Sequence, residues 1–267
     1  MNFSGIFEAI GAMVSWGFGD FTIERSTMKV GAMASLFYIT GLAGIVLFPY
    51  ARPYFGAIFL DHANLALLLV AGLATFGGAT LQFVAFEKGK LSIIEPIMGL
   101  ELPMTIALAV AFGGENLSML QVLLTAVFFI GLILAITRHH LQLHYHKRMF
   151  EHGVILSFGA AILYGLENFT VGHGSQVIAP LATLWFVSAF TALLCLVFFI
   201  FFPRPNMMRQ LKRHWKLVLA ITIGESYIIL TVLLGLFANH DKVKRHQIIG
   251  VAMGCAAVIA LSYLHPG

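Results

Sequence analysis

Long apolar segments alternate with short polar segments along the whole chain. Each apolar segment is about 17–25 residues long, the length that an α-helix needs to cross the roughly 30 Å hydrocarbon core of a bilayer. Helices are expected because lipid offers no hydrogen-bond partner to the backbone of a spanning segment. The pattern predicts nine transmembrane helices, here called spans 1–9, with approximate bounds 5–23, 31–50, 65–86, 92–112, 117–137, 153–172, 178–202, 216–238 and 247–264.

Parts of the first half of the sequence recur in the second half. The segment AMVSWGFGDFT (12–22) matches AAILYGLENFT (160–170), and this alignment continues into spans 2 and 7. The segment LELPMTIALAVAFGGENLSMLQ (100–121) matches GESYIILTVLLGLFANHDKVKRHQ (224–247). Two homologous hydrophobic halves are typical of secondary transporters, which bind their substrate between the halves.

The second half is shorter than the first by about one span. Residue 12 pairs with residue 160 whereas Glu101 pairs with Glu225, so the offset between counterparts falls by about two dozen residues, near 220–226. We therefore expect an all-α integral membrane protein with two inverted five-helix repeats, descended from a ten-span ancestor and retaining about nine spans. Its predicted parts are a first repeat over 1–137, a basic His-rich linker over 138–152 and a shortened second repeat over 153–267.

The basic residues predict how the chain is oriented in the membrane. Most Lys and Arg residues lie in the loops after spans 1, 3, 5 and 7, whereas the loops after spans 2, 4 and 6 contain only Arg52. Cytoplasmic loops carry the excess of Lys and Arg, so the first set is predicted to be cytoplasmic and the N-terminus outside. The last basic loop, HDKVKR (240–245), obeys this rule with ten spans and violates it with nine.

Composition excludes several classes of protein. A hydrophobic content of 59% with 10% charged residues is not that of a water-soluble domain. Cys195 and Cys255 both lie in apolar spans, so no disulfide framework and no CxxC metal site is predicted. The sequence pI near 9.1 is attributed to basic loops beside the membrane, and no nucleic-acid partner or cofactor is expected. No nucleophile–base arrangement suggests an enzyme.

Ionisable side chains inside apolar helices are costly and are therefore candidates for function. Such carboxyl groups are Asp20 in span 1, Glu95 and Glu101 in span 4, Glu167 in span 6 and Glu225 in the shortened region. We expect them to line a polar central pathway, in which Glu101 and its counterpart Glu225 face each other. The alternative, favoured for Asp20 and Glu95, is interhelical hydrogen bonding or a position near the headgroups. On a continuous helix Glu95 and Glu101 do not share a face, so they are not predicted to form one joint site.

Other residues could also shape this pathway. Pro96 and Pro103 interrupt the hydrogen-bond ladder of span 4, and broken helices can expose backbone groups to a substrate. The alternative is that proline is simply common in membrane helices. Trp16 and Tyr164, which are counterparts in the two repeats, and Gln82 in span 3 are further candidates for the lining. Their alternative role is packing or anchoring at the membrane interface.

Several segments together resemble the EamA-type transporters of the drug/metabolite transporter superfamily. They are MVSWGFGDF in span 1, AFEKGKLSIIEPIMGLELP around span 4 and FGGENLSMLQVLLTAVFFIGLIL, whose ending recurs as NHDKVKRHQIIGVAMGCAAVIAL. The resemblance covers both repeats and implies ten helices, with export or exchange of small metabolites through a cavity formed by spans 1–4 and 6–9. It also implies a helix interface at span 5, and hence a possible homodimer.

The same resemblance implies that most of the candidate residues lie on cavity-lining helices. These residues are Trp16, Asp20, Glu95, Glu101, Tyr164, Glu167 and Glu225. The expected partners are a small-molecule substrate, the lipid bilayer and a proton or ion gradient, and the expected location is a prokaryotic inner or plasma membrane. The shortened second repeat would lack one wall of the cavity. It favours an alternative hypothesis, a truncated membrane protein that is regulatory or inactive in transport.

Overall fold

A computed structural model describes residues 20–88, 91–114, 117–136 and 147–202. Every regular element in these ranges is a helix, which confirms the prediction of an all-α protein for this part of the chain. Spans 8 and 9, the shortened junction and most of span 1 lie outside the described residues, as do residues 138–146 of the predicted linker. The rest of that linker belongs to a helix.

The described helices follow the predicted spans closely. We call the helical residues 20–30 α1, and a 3₁₀ turn, Arg52–Tyr54, lies between α2 and α3. The other helices are α2 Ala32–Ala51, α3 Phe55–Phe59, α4 His62–Lys88, α5 Leu91–Met98, α6 Glu101–Phe112, α7 Met119–Ile136, α8 Lys147–Val177 and α9 Pro180–Phe201.

Within the described residues, five helical stretches are long and apolar enough to cross a membrane. They are Ala32–Phe59, His62–Lys88, Ile94–Phe112, His152–Val177 and Pro180–Phe201, which correspond to predicted spans 2, 3, 4, 6 and 7. A shorter apolar stretch, Met119–Gly131, lies in predicted span 5. The protein is therefore an integral membrane protein.

The first described helix extends further than its hydropathy indicates. Span 1 was predicted to end at residue 23, but α1 continues to residue 30, where Gly31 adopts a positive φ of 95° that only glycine tolerates readily. The hydroxyl groups of Ser26 and Ser35 then join α1 to α2 by a buried hydrogen bond of 2.8 Å. This last part of α1 thus packs within the protein.

Helices α4 and α8 pack closely at positions where glycine removes a side chain. A Cβ atom at Gly78 would lie 3.3 Å from the ring of Tyr164, and one at Gly159 would lie 3.0 Å from Leu81. Residue numbers increase along α4 as they decrease along α8, so the two helices are antiparallel.

Helices α2 and α9, which correspond to the counterpart spans 2 and 7, also pack against each other. The rings of Phe37 and Phe199 have centroids 5.8 Å apart, and those of Phe48 and Trp185 are 6.0 Å apart. These pairs again require antiparallel helices, because the number increases on one helix and decreases on the other. The offset of the sequence repeat makes Phe37 and Trp185 counterparts.

The span that contains Glu95 and Glu101 is interrupted at Gly99 and Leu100, between α5 and α6. The N–H of Leu100 donates to Ile97 at 3.0 Å, a spacing of three residues that tightens the chain. Pro103 has no N–H to donate to the Gly99 carbonyl, which instead accepts from the N–H of Leu102 at 3.3 Å. The missing N–H of Pro103 thus coincides with the interruption of this span.

Candidate functional site

A group of acidic side chains surrounds Glu95 on α5. Glu95 is only 2% exposed, and its carboxyl group interacts electrostatically with Asp20 and Glu24 on α1 and with Glu101 at the start of α6. Burial of one carboxyl group among several others inside a spanning region is costly, so such an arrangement points to a functional role. We call these four residues the acidic group.

The expectation that Glu95 and Glu101 would not share a site rested on a continuous helix. Because the helix is interrupted between them, the six-residue spacing no longer fixes their relative directions. The two carboxyl groups are close enough to interact. The sequence argument assumed an unbroken helix, and this span does not have one.

Gln82 connects the acidic group to the second half of the chain. The Tyr164 hydroxyl on α8 donates a hydrogen bond of 2.7 Å to Oε1 of Gln82 on α4. The Gln82 side chain also forms a hydrogen bond with the carboxyl group of Glu95. Oε1 of Glu95 has no hydrogen-bond partner among the residues that the structure describes. The site thus contains a buried carboxyl oxygen that can accept a further proton.

Gly165 allows α8 to lie directly against the start of α6. A Cβ atom at Gly165 would collide with the Cβ of Met104 and would lie 3.2 Å from the carbonyl oxygen of Glu101. The Thr105 hydroxyl lies within hydrogen-bond distance of two carbonyl oxygens, 2.8 Å from that of Glu101 and 3.3 Å from that of Gly165. The interrupted span is therefore held against the helix that carries Tyr164.

The structure brings together five of the predicted residues, namely Asp20, Gln82, Glu95, Glu101 and Tyr164. Pro96 lies in α5 and Pro103 in the first turn of α6, on either side of the interruption.

The remaining predicted residues are not joined to this group. Glu167 is partly buried on α8 and forms an interaction of its own, but it is not among the neighbours of Glu95. Trp16 and Glu225 lie outside the described residues. Their predicted roles therefore stay predictions.

Glu24 is the member of the acidic group that the sequence analysis missed. It is 6% exposed and lies one turn after Asp20 on the same face of α1. The spacing of four residues between two carboxyl groups was the available signal. The predicted end of span 1 at residue 23 leaves Glu24 just outside the span.

The fold and this site define a helical integral membrane protein with a buried carboxyl group, that of Glu95, in one of its apolar spans. The model of the EamA-like transporter family matches residues 3–137 of the 267-residue chain. The chain therefore belongs to this family. It is a membrane transporter of small molecules, in agreement with the resemblance described above.

Other similarities are more distant. An uncharacterised protein of Methanocaldococcus jannaschii is 28% identical over 97 residues, which make up 36% of this chain and 71% of the relative. One solved crystal structure has a TM-score of 0.54 and 16% identity. It covers 96% of this chain and 99% of its own. At that identity the likeness concerns the fold alone.

Proposed function

We propose that the protein exports or exchanges a small cationic or zwitterionic metabolite, such as an amine or an amino acid. The observation that carries this proposal is the acidic group around Glu95, because buried carboxyl groups favour a positively charged ligand. Trp16, Glu167 and Glu225 remain candidates for other parts of the same pathway.

The proposed pathway lies between two inverted repeats. The antiparallel packing of the counterpart helices α2 and α9 supports this arrangement, since inverted repeats related by a two-fold axis bring counterparts together in this way. The hydrogen bonds of Gln82 also support a pathway between the repeats. One joins it to Tyr164 of the second repeat and the other to Glu95 of the first. The ten-span ancestor and the EamA-like repeats over 1–137 and 153–267 are part of this proposal.

The proposed orientation has the N-terminus outside a prokaryotic inner or plasma membrane. Because α4 and α8 are antiparallel, the end of α4 at Lys88 and the beginning of α8 at Lys147 lie at the same end of the pair. Both termini belong to basic segments, and the positive-inside rule assigns basic segments to the cytoplasm.

We further propose that a proton gradient drives transport through Glu95. A buried carboxyl group that alternately binds a proton and a cationic substrate avoids an uncompensated charge in either state. Exchange of the two ligands would then couple the movement of substrate in one direction to the movement of protons in the other.

Substrate counterflow in vesicles tests the transport proposal. Purified protein is reconstituted with unlabelled amino acids or amines inside, and uptake of the radiolabelled compound is measured. Glu95→Gln should reduce exchange of the transported compound by at least about tenfold, since removing one partner of a buried charge pair costs about 2–5 kcal/mol. Glu87→Gln is the matched control, because Glu87 is exposed at the end of α4. Equal exchange by both variants would exclude Glu95 from the pathway.

The shortened second repeat supports one other candidate function, that of a truncated membrane protein that is regulatory or inactive in transport. The offset between counterparts falls by about two dozen residues near 220–226, where a wall of the cavity is expected. This hypothesis predicts that the wild-type protein exchanges no compound of the panel. It also predicts that its C-terminus lies on the opposite side of the membrane from its N-terminus.

A homodimer through α7 is a further part of the proposal. Met119, Leu123 and Ile130 recur at helical spacing on α7 and are 73%, 52% and 50% exposed. The alternative is that lipid alone covers this face of α7. Cysteine cross-linking between two copies at Leu123 in vesicles distinguishes the two cases.

A further inference from the structure

Gln82 has contacts to both Glu95 and Tyr164. It is 7% exposed, so its amide group has little access to water. Oε1 of Gln82 accepts from the Tyr164 hydroxyl at 2.7 Å. A side-chain amide has one acceptor end and one donor end, so the NH₂ group is the end left to donate to the carboxyl group of Glu95.

This pattern of donors and acceptors suits an ionised Glu95. A carboxylate only accepts hydrogen bonds, and the NH₂ group of Gln82 is a donor. When Glu95 takes up a proton from the aqueous side, it acquires an O–H group that needs an acceptor. Leaving a buried O–H group without an acceptor is unfavourable. The Gln82 amide group can supply that acceptor if it turns over, so that its oxygen and nitrogen exchange places.

We propose that Gln82 is a positioning residue whose amide group turns over when Glu95 is protonated, and that it thereby transmits the protonation of Glu95 to Tyr164 on α8. In the turned state Oε1 accepts from Glu95 and the NH₂ group faces Tyr164, whose oxygen must then act as acceptor. No covalent bond changes apart from the proton bound by Glu95. The inference rests on the proposed function, because it takes Glu95 as the proton-binding group.

A change at the Tyr164 hydroxyl group would affect the close contacts of α8 with α4 and α6. The ring of Tyr164 lies against Gly78 of α4, and the next residue, Gly165, lies against the start of α6. A hydroxyl group that changes from donor to acceptor must redirect its hydrogen within this tightly packed region. Protonation in the first half would in this way alter the attachment of α8, which belongs to the second half.

Other charged groups also face Glu95, and their response to its protonation has to be distinguished from that of Gln82. They are Asp20 and Glu24 on α1 and Glu101 on α6, and any of them could accept a hydrogen bond from protonated Glu95. In that case Gln82 would keep its orientation and Tyr164 would not respond. The two possibilities therefore differ in the behaviour of the Tyr164 hydroxyl group.

Difference infrared spectroscopy tests the proposal with the proton as the only ligand. The full chain in lipid vesicles is titrated from mildly alkaline to mildly acidic buffer. We expect a protonated-carboxyl band that is lost in Glu95→Gln, accompanied by shifts of a glutamine amide band and a tyrosine C–O band. The amide shift should be lost in Gln82→Met, and the tyrosine shift should be lost in Tyr164→Phe but kept in the control Tyr38→Phe.

The outcomes separate this inference from the proposed function. If the Glu95 band appears on acidification and the Tyr164 band does not move, the relay through Gln82 is wrong while proton binding stands. A Tyr164 shift that persists in Glu95→Gln also overturns the relay. If no Glu95 band appears at all, proton coupling through Glu95 fails, and the relay fails with it. Even if a variant does not fold, a wild-type spectrum in which no tyrosine band moves on acidification overturns the relay.

Discussion

Gly165→Ala tests whether α8 lies as close to the interrupted span as the structure indicates. The added methyl group would collide with the Cβ of Met104 and approach the Glu101 carbonyl oxygen to 3.2 Å. Backbone atoms of α6 cannot move aside as a flexible side chain can, so we expect a cost near the upper end of the 1–3 kcal/mol typical of overpacking. Alanine recovers about 1 kcal/mol through its higher helix propensity. The net destabilisation is then about 2 kcal/mol.

The matched control is Gly172→Ala, on the same helix. A Cβ atom at Gly172 would meet nothing within 4 Å, so only the gain in helix propensity remains. Thermal unfolding of the two variants in the same detergent should give a midpoint about 4–8 °C below wild type for Gly165→Ala, and one at or above wild type for Gly172→Ala. Equal midpoints would refute the close contact between α8 and α6.

Three further predictions concern the same region and its surroundings. Tyr164→Phe should lower stability by about 1–3 kcal/mol in the same assay, because it leaves Oε1 of Gln82 buried without its donor; an unchanged midpoint would contradict that hydrogen bond. Glu101→Gln should slow vesicle counterflow, and unchanged exchange would remove Glu101 from the pathway. Cys195 is buried, so maleimide should label it only after unfolding in a Cys255→Ser background; rapid labelling of the folded protein would contradict its burial.

The bilayer explains why much of the fold could be predicted from the sequence. Its thickness fixes the length of an apolar helix, and this constraint acts on local composition alone. The helices around 32–59, 62–88 and 180–201 could therefore be located without knowledge of their neighbours. The end of α1 could not be located in this way. Its last part contains Glu24, whose burial depends on residues distant in the sequence.

The candidate site was predictable as a set of residue types but not as a geometry. A carboxyl group inside the bilayer has a high free-energy cost, so Glu95 and Glu101 are unusual whichever way their side chains point. Their relative position could not be read from helical periodicity, because the span is interrupted at Gly99 and Leu100. The link from Gln82 to Tyr164 joins residues 82 positions apart, so nothing in the local sequence indicates it.

The most direct test of the central claim is the luminal pH of vesicles that contain the protein and a pH-sensitive dye. Addition of the transported amine or amino acid outside should raise the luminal pH in wild type and in Glu87→Gln, because entering substrate is exchanged for protons. Glu95→Gln should give no change of luminal pH. A rise in luminal pH of the same size in Glu95→Gln would show that proton-coupled transport does not depend on the buried carboxyl group of Glu95.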